Sequence, residues 1–322
     1  MSEISQFMKI ALALFFASFP FLSIPANASQ DCQEKLAKAI CIVNSPVKEP
    51  DRYKPNRPCI EGETKRYSVQ VLDAYGSFPA PVKKILCSVQ TIYIEKDFFG
   101  TAWSAAVDES DPQEMLLGLN IRELDAQLRL ESFLSWFEQL SFGGAKDFTI
   151  SPLLPMISID PPRWKSATFL TNTLLHESGH LLDYKYGFNK FVCSDPNKCK
   201  PLPGSWGEIA WLSNSTPRPD NDFDQRPLIC INRCQAVHLD PKKSTEFYRD
   251  LFQSGFVSQL SAISPMEDFA ETFSLYERIN AMDQQINLKD TNGNLYDVKL
   301  VLKSDPLKQK VKFIENILKE LK

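Results

Sequence analysis

The feature that most constrains this chain is HESGH, His176 to His180, set inside an apolar stretch. On a helix, residues four apart lie one above the other on the same face. Phe169, Leu170, Thr173, Leu174, Leu175, Leu181 and Leu182 flank the pair, so the helix that carries it reads as largely buried. Two imidazoles and a carboxylate on a buried helix need a reason to be there. Gly179 adds to the case, because glycine in a helix interior costs about 1 kcal/mol relative to alanine. A close approach of another backbone would explain it. Two of the three histidines of the whole chain fall within these five residues.

The spacing suits a metal. Two imidazoles at i and i+4 can bind one Zn²⁺ at about 2.0–2.1 Å, with the intervening glutamate beside the ion and not on it. From there it can take a proton from metal-bound water, whose pKa falls to about 7. His176 and His180 are therefore candidate ligands and Glu177 a candidate general base. A hydrolytic zinc site needs a third protein ligand and one open position. No HxxGxxH pattern supplies it directly downstream. His238 and a carboxylate in SPMEDFAETF (Ser264 to Phe273) are the remaining choices. Ser264 and Pro265 read as N-cap and first helical residue. Glu267 and Glu271 then share a face, so Glu267 can reach the zinc while Glu271 orients a ligand imidazole. The competing reading is a capping box, in which Glu267 only closes its own helix. Asp268 reads as a solvated first-turn acid favoured by the helix dipole.

The N-terminus reads as a targeting segment, residues 1–28. Lys9 precedes the apolar run Ile10 to Phe19, Pro20 interrupts it, and Ala26-Asn27-Ala28 has the small residues of a cleavage site. The run falls short of the ~20 apolar residues of a membrane span. This predicts a secreted or periplasmic protein. All eight cysteines follow the proposed cleavage point, which favours disulfides over zinc knuckles, since no CxxC occurs. Their connectivity does not follow from the sequence, and Cys230–Cys234 is the pairing least expected. The net charge of −4 carries no basic footprint for nucleic acid.

Residues 29–90 read as a loop-rich, cysteine-containing module ahead of a larger domain, 91–322. Strands are expected at Thr91 to Glu95, Met115 to Asn120 and Pro155 to Asp160. Helices are expected at Ile121 to Phe142 and at Lys165 to Tyr186, the latter ended by Gly187. Residues 188–240 read as an irregular, disulfide-stapled insertion. Helices resume near Ser244 and Ser264. Lys289 to Asp297 reads as a hairpin, not a calcium loop, because its glycine is misplaced and no closing glutamate follows. A last helix, Pro306 to Leu321, carries a core stripe of Leu307, Val311, Ile314 and Leu318.

HESGHLLD followed at a distance by EDFAETF resembles the gluzincin-type metallopeptidases, and most of all the zinc domain of anthrax lethal factor and related exported bacterial proteins. EFYRDLF (Glu246 to Phe252) and KFIENILKEL (Lys312 to Leu321) are similar too, so the resemblance runs from about Lys165 to the C-terminus. It implies an α+β, zincin-like domain with a small mixed sheet, an HExxH helix and a helical C-terminal part. It implies Glu267 as third zinc ligand and Glu271 behind a ligand imidazole. It also implies an exported zinc metallopeptidase acting on a peptide or protein. A zinc-stabilised binding module with little or no turnover is the alternative, and a hydrolase of another amide a third reading. One position departs from the pattern: Leu260 stands seven residues before Glu267, where the family commonly has a tyrosine that stabilises the oxyanion. His238 and Tyr248 are candidates to replace it, with Tyr276 behind them.

Overall fold

The computed structural model describes residues 26–321 apart from 44–50, 61, 63, 97–99, 109–111, 146, 162–163, 165–166, 195–198 and 232–237. The expected leader thus lies almost wholly outside the described residues. The N-terminal part contains α1 (Ala26–Lys38), β1 (Ile40–Ile42), α2 (Thr64–Gly76), α3 (Ala80–Leu86), β2 (Val89–Glu95), β3 (Ala102–Ala106) and β4 (Met115–Asn120). The middle contains α4 (Ile121–Ala126), α5 (Leu130–Gln139), β5 (Met156–Asp160), α6 (Phe169–Tyr186), β6 (Phe191–Cys193), β7 (Cys199–Pro201) and α7 (Trp206–Ala210). The C-terminal part contains α8 (Ser244–Gln253), α9 (Pro265–Asn280), β8 (Gln285–Lys289), β9 (Leu295–Asp297), α10 (Val298–Leu302) and α11 (Lys308–Glu320). The architecture is mixed α/β, with small sheets and many helices.

Residues 29–90 are not loop-rich. In α2 the buried residues Tyr67, Val71, Ala74 and Tyr75 recur at helical spacing and pack in the same core as Leu174 and Leu175 of α6. The strand β1 joins the main sheet, whose order is β1-β2-β4-β3. Strands β1, β2 and β4 run parallel, and β4, MLLGLN, is buried along its whole length. The edge strand β3 runs antiparallel to β4. Two disulfides hold this region: Cys32–Cys87 ties α1 to the end of α3, and Cys41–Cys59 ties β1 to the segment before α2.

The single helix expected over Ile121 to Phe142 is broken into α4 and α5, because Gln127 takes a left-handed conformation (φ 46°, ψ 42°). The chain beyond it pairs with another segment. Phe169 N donates to Leu128 O, and Leu130 N donates to Ala167 O. Those cross-chain bonds replace the helical ones that a continuous helix would make.

Residues 188–240 are stapled by Cys193–Cys199 across the β6–β7 hairpin and anchored by Trp206 and Trp211, both fully buried. Cys230 is disulfide-bonded as well, while Cys234 lies outside the described residues. The hairpin β8–β9 forms as expected. Its Asp290 accepts from Thr245 Oγ1 (2.6 Å), Asn292 N (2.9 Å), Asn294 N (2.9 Å) and Asn294 Nδ2 (2.9 Å), so protein donors occupy the carboxylate. In α11, Ile314 and Leu318 are buried, and Leu307 lies buried just before the helix. No helix among the described residues is long and apolar enough to cross a membrane.

Candidate metal centre

The site lies between α6 and α9. Their backbones approach so closely at Gly179 that a Cβ there would stand 2.7 Å from Ala270 Cα. This is the close approach that glycine at that position called for. The helix α6 ends at Gly187, whose φ of 65° makes the left-handed cap. Asp183 fixes the turn beyond, accepting from Asn189 N at 2.7 Å and Asn189 Nδ2 at 3.0 Å.

His176, His180 and Glu267 converge. Their ligand atoms form a triangle: His176 Nε2 to His180 Nε2 is 3.1 Å, His176 Nε2 to Glu267 Oε2 is 3.2 Å, and His180 Nε2 to Glu267 Oε2 is 3.5 Å. Two ligands at about 2.0–2.1 Å from one tetrahedral ion stand roughly 3.3 Å apart, so a zinc ion fits the triangle. Of the triangle atoms, Glu267 Oε2 lacks a hydrogen bond, and two neighbouring polar atoms lack one too. Glu267 Oε2, His180 Nδ1 and Glu177 Oε2 are buried without a hydrogen bond. Orphaned buried groups are costly unless something absent from the protein itself satisfies them. The capping box is only half made: Ser264 Oγ accepts from Glu267 N at 3.2 Å, while the Glu267 carboxylate turns to the histidines.

Behind the triangle, His176 Nδ1 donates to Glu271 Oε1 at 2.7 Å, which leaves the Nε2 lone pair for a metal. Ser258 Oγ in turn donates to Glu271 Oε2 at 2.7 Å. Burial pulls the His176 pKa down, but hydrogen bonds and charge from Glu267 and Glu271 outweigh it and hold the value well above the usual range. Burial pushes Glu267 up, and the two histidines outweigh that and hold it well below the usual carboxylate range.

His238 does not join this group. It is exposed and lies beside Gly143. Tyr248 is fully buried and its hydroxyl donates to Glu138 Oε1 at 2.9 Å. Tyr276 is bound at its hydroxyl to Glu315. Asp268 corrects the sequence reading outright: it is 0% exposed. It pairs with Lys310 Nζ of α11 at 2.7 Å and accepts from Trp211 Nε1 at 3.0 Å. Lys310 also donates to Gly255 O at 2.6 Å.

The triangle opens on a cavity of about 1080 Å³ that has β3 along one side. Thr101 O accepts from Asn120 N and Val107 N donates to Glu114 O, so the odd-numbered residues of the strand bond to β4. The backbone groups of Ala102, Ser104 and Ala106 consequently point to the open side. Tyr184, one turn beyond His180, lines the cavity and donates to Ser104 O at 3.3 Å. The sequence reading missed β3, Tyr184, Ser258 and two further cavity residues, Asn172 and Arg278. Helical spacing from His176 and His180 could have found Asn172 and Tyr184, which share their face.

No protein-family model and no curated protein matches the sequence. Among solved structures, a candidate zinc-binding metallo-peptidase from Bacteroides caccae matches with a TM-score of 0.37 and 11% identity, over 92% of this chain and 87% of that one. At that level the likeness settles neither fold nor chemistry, and both rest on the residues described above.

Proposed function

We propose that this chain is an exported zinc-dependent metallopeptidase, with residues 1–28 as leader and 91–322 as the catalytic part behind the module 29–90. The observation that carries the reading is the His176–His180–Glu267 triangle, with sides that suit one tetrahedral ion and with Glu267 Oε2 buried without a hydrogen bond. The zincin-like resemblance of HESGHLLD and EDFAETF points the same way, and the described disulfides suit an oxidising compartment. Bound zinc would polarise the scissile carbonyl and acidify a water.

The protein's own groups do the rest. Glu177 takes the proton of the attacking water and passes it to the leaving amine. Glu271 holds the His176 tautomer, and Ser258 holds Glu271. A peptide laid along β3 finds the outward backbone groups of Ala102 and Ala106 and the N–H of Ser104, an edge that suits an extended chain. With Leu260 unable to donate, Tyr184, which lines the cavity and whose hydroxyl must turn from Ser104 O to do so, is the donor we assign to the developing oxyanion.

Metal analysis and peptide-library cleavage test this reading. Glu177→Gln should keep zinc and lose cleavage, and Glu267→Ala should lose zinc while His238→Ala keeps it. Undiminished cleavage by Glu177→Gln, or zinc loss in His238→Ala alone, would overturn it. A wild-type protein that holds zinc and cleaves nothing would be the binding module instead.

A further inference from the structure

Among the described residues, a cation without a counter-ion sits at the inner end of the cavity. Arg278 of α9 is 1% exposed and lines it. Its Nε donates to Gln284 Oε1 at 2.9 Å and its Nη1 to Asn172 Oδ1 at 2.9 Å. Both partners are neutral amides. Nη2 has no hydrogen-bond partner, and no carboxylate stands within ion-pair distance among the described residues. Arginine is almost never fully buried unless it is paired. Glu271 is the nearby charge, but its oxygens are committed to His176 and Ser258. Burial accordingly lowers the Arg278 pKa to about 10, with Glu271 only partly offsetting it.

The placement links Arg278 to the metal triangle. It lies eleven residues after Glu267, on nearly the same face of α9 but three turns and about 16 Å further along it, so its link to the triangle runs through its partner on α6. Its partner Asn172 precedes His176 by one turn of α6, a rise of about 6 Å. The cavity lining also includes Val257, Leu275, Ile286 and Val298 of one apolar cluster, beside the polar Thr173, Ser258 and Glu271. A cavity with apolar lining and a fixed guanidinium whose Nη2 is unpartnered fits a group with an aliphatic stem and a terminal anion. The planar fork of arginine favours a carboxylate in particular. One turn of helix is also about the reach of a side chain next to a scissile bond held at the metal.

We propose that Arg278, steadied by Asn172 and Gln284, is a specificity-determining residue that receives a substrate carboxylate beside the scissile bond. The carboxylate is that of an aspartate or glutamate side chain, or the free C-terminus of a short peptide. The register relative to the scissile bond rests on the metallopeptidase reading; the carboxylate site itself does not.

Binding to the full-length Glu177→Gln protein, read by calorimetry with zinc present, tests the site without turnover. The probes are alanine-based hexapeptides. One series is amidated, with glutamate placed at each position in turn, and a second has glutamine in its place. A neutral peptide is supplied as free acid and as amide. One glutamate position, or the free acid, should bind at least ~10-fold tighter than its uncharged twin. Which of the two gains tells side chain from C-terminus. Arg278→Met should abolish the gain, and Arg278→Lys should keep only part of it. If neither the glutamate series nor the free acid gains over its neutral counterpart, the proposal fails. It fails equally if the gain survives Arg278→Met. Because Arg278 also ties α6 to α9, the peptide series on intact Arg278 stands alone should those variants not fold. Cleavage by the wild type without carboxylate preference would sink this inference only; preference without any cleavage would sink the peptidase reading only.

Discussion

Replacing Gly179 with alanine would load the α6–α9 contact at a known point. The new Cβ stands 2.7 Å from Ala270 Cα, 3.1 Å from Ala270 Cβ and 3.3 Å from Ala270 O. Carbon atoms rest at about 3.5–4.0 Å, so the helices must part by roughly 1 Å. The closest of these atoms is backbone, and no rotamer change relieves the overlap. One helix carries His176 and His180 and the other Glu267, whereas ligand distances at a metal site tolerate only about ±0.2 Å. Alanine regains about 1 kcal/mol of helix propensity, against about 1–3 kcal/mol for overpacking. The fold should therefore lose about 2 kcal/mol at most, while zinc affinity falls on the order of 10–100-fold, as when a group that orients a ligand is lost. Chelator competition measures the affinity, and thermal unfolding of the metal-free protein measures the fold. An alanine variant that binds zinc as tightly as the wild type would refute the reasoning, because the helices would then not need glycine to meet.

Lys310→Met leaves the Asp268 carboxylate buried without its cation and should cost about 3–5 kcal/mol, with partial recovery when Asp268→Asn is added; an unchanged melting temperature would exclude a working ion pair. Burial raises the Glu138 pKa from 4.5 to about 7, against the hydrogen bonds from Gln259 and Tyr248 that lower it and with help from Glu271. Between those values the native state binds the extra proton, so the stability of the metal-free protein should fall by up to about 3 kcal/mol as pH rises from 4.5 through 7. Denaturant titrations across that window should lose this slope in Glu138→Gln, and an identical slope in both proteins would rule the group out. Removing Cys32–Cys87, which spans 55 residues, should cost about 4 kcal/mol by loop entropy, read as a fall in the denaturation midpoint; no fall would mean the bridge does not restrict the unfolded chain as this reasoning requires.

The parts of the site that are local in sequence were legible, and those made by the fold were not. The meeting of His176 and His180 was readable because one helix face dictates their spacing. Glu267 was ambiguous because a metal ligand and a capping-box glutamate occupy the same position of a helix, and only the path of its side chain separates them. Asp268 was misread for a related reason. A first-turn acid is favoured by the helix dipole whether water or a lysine from α11 surrounds it. Arg278 in the last turn of α9 looks like an ordinary dipole partner, and nothing local says that it faces a cavity. The strand β3, AWSAA, has neither β-branched residues nor clean alternation, so its pairing with β4 decides its conformation. In α2 the helical stripe was present in the sequence, but the prolines and cysteines around it drew attention to loops.

The Asp268–Lys310 pair also sets an order in time. Asp268 adjoins Glu267 in α9, and its neutralising amine comes from α11, which leaves the ribosome later. Until α11 docks, the first turn of α9 holds a carboxylate that cannot be buried without penalty, and the helix has reason to stay in water. The closing of Glu267 on the α6 histidines is therefore coupled to the docking of α11. A chain without α11 would have every candidate ligand and still lack the amine that neutralises Asp268 beside Glu267.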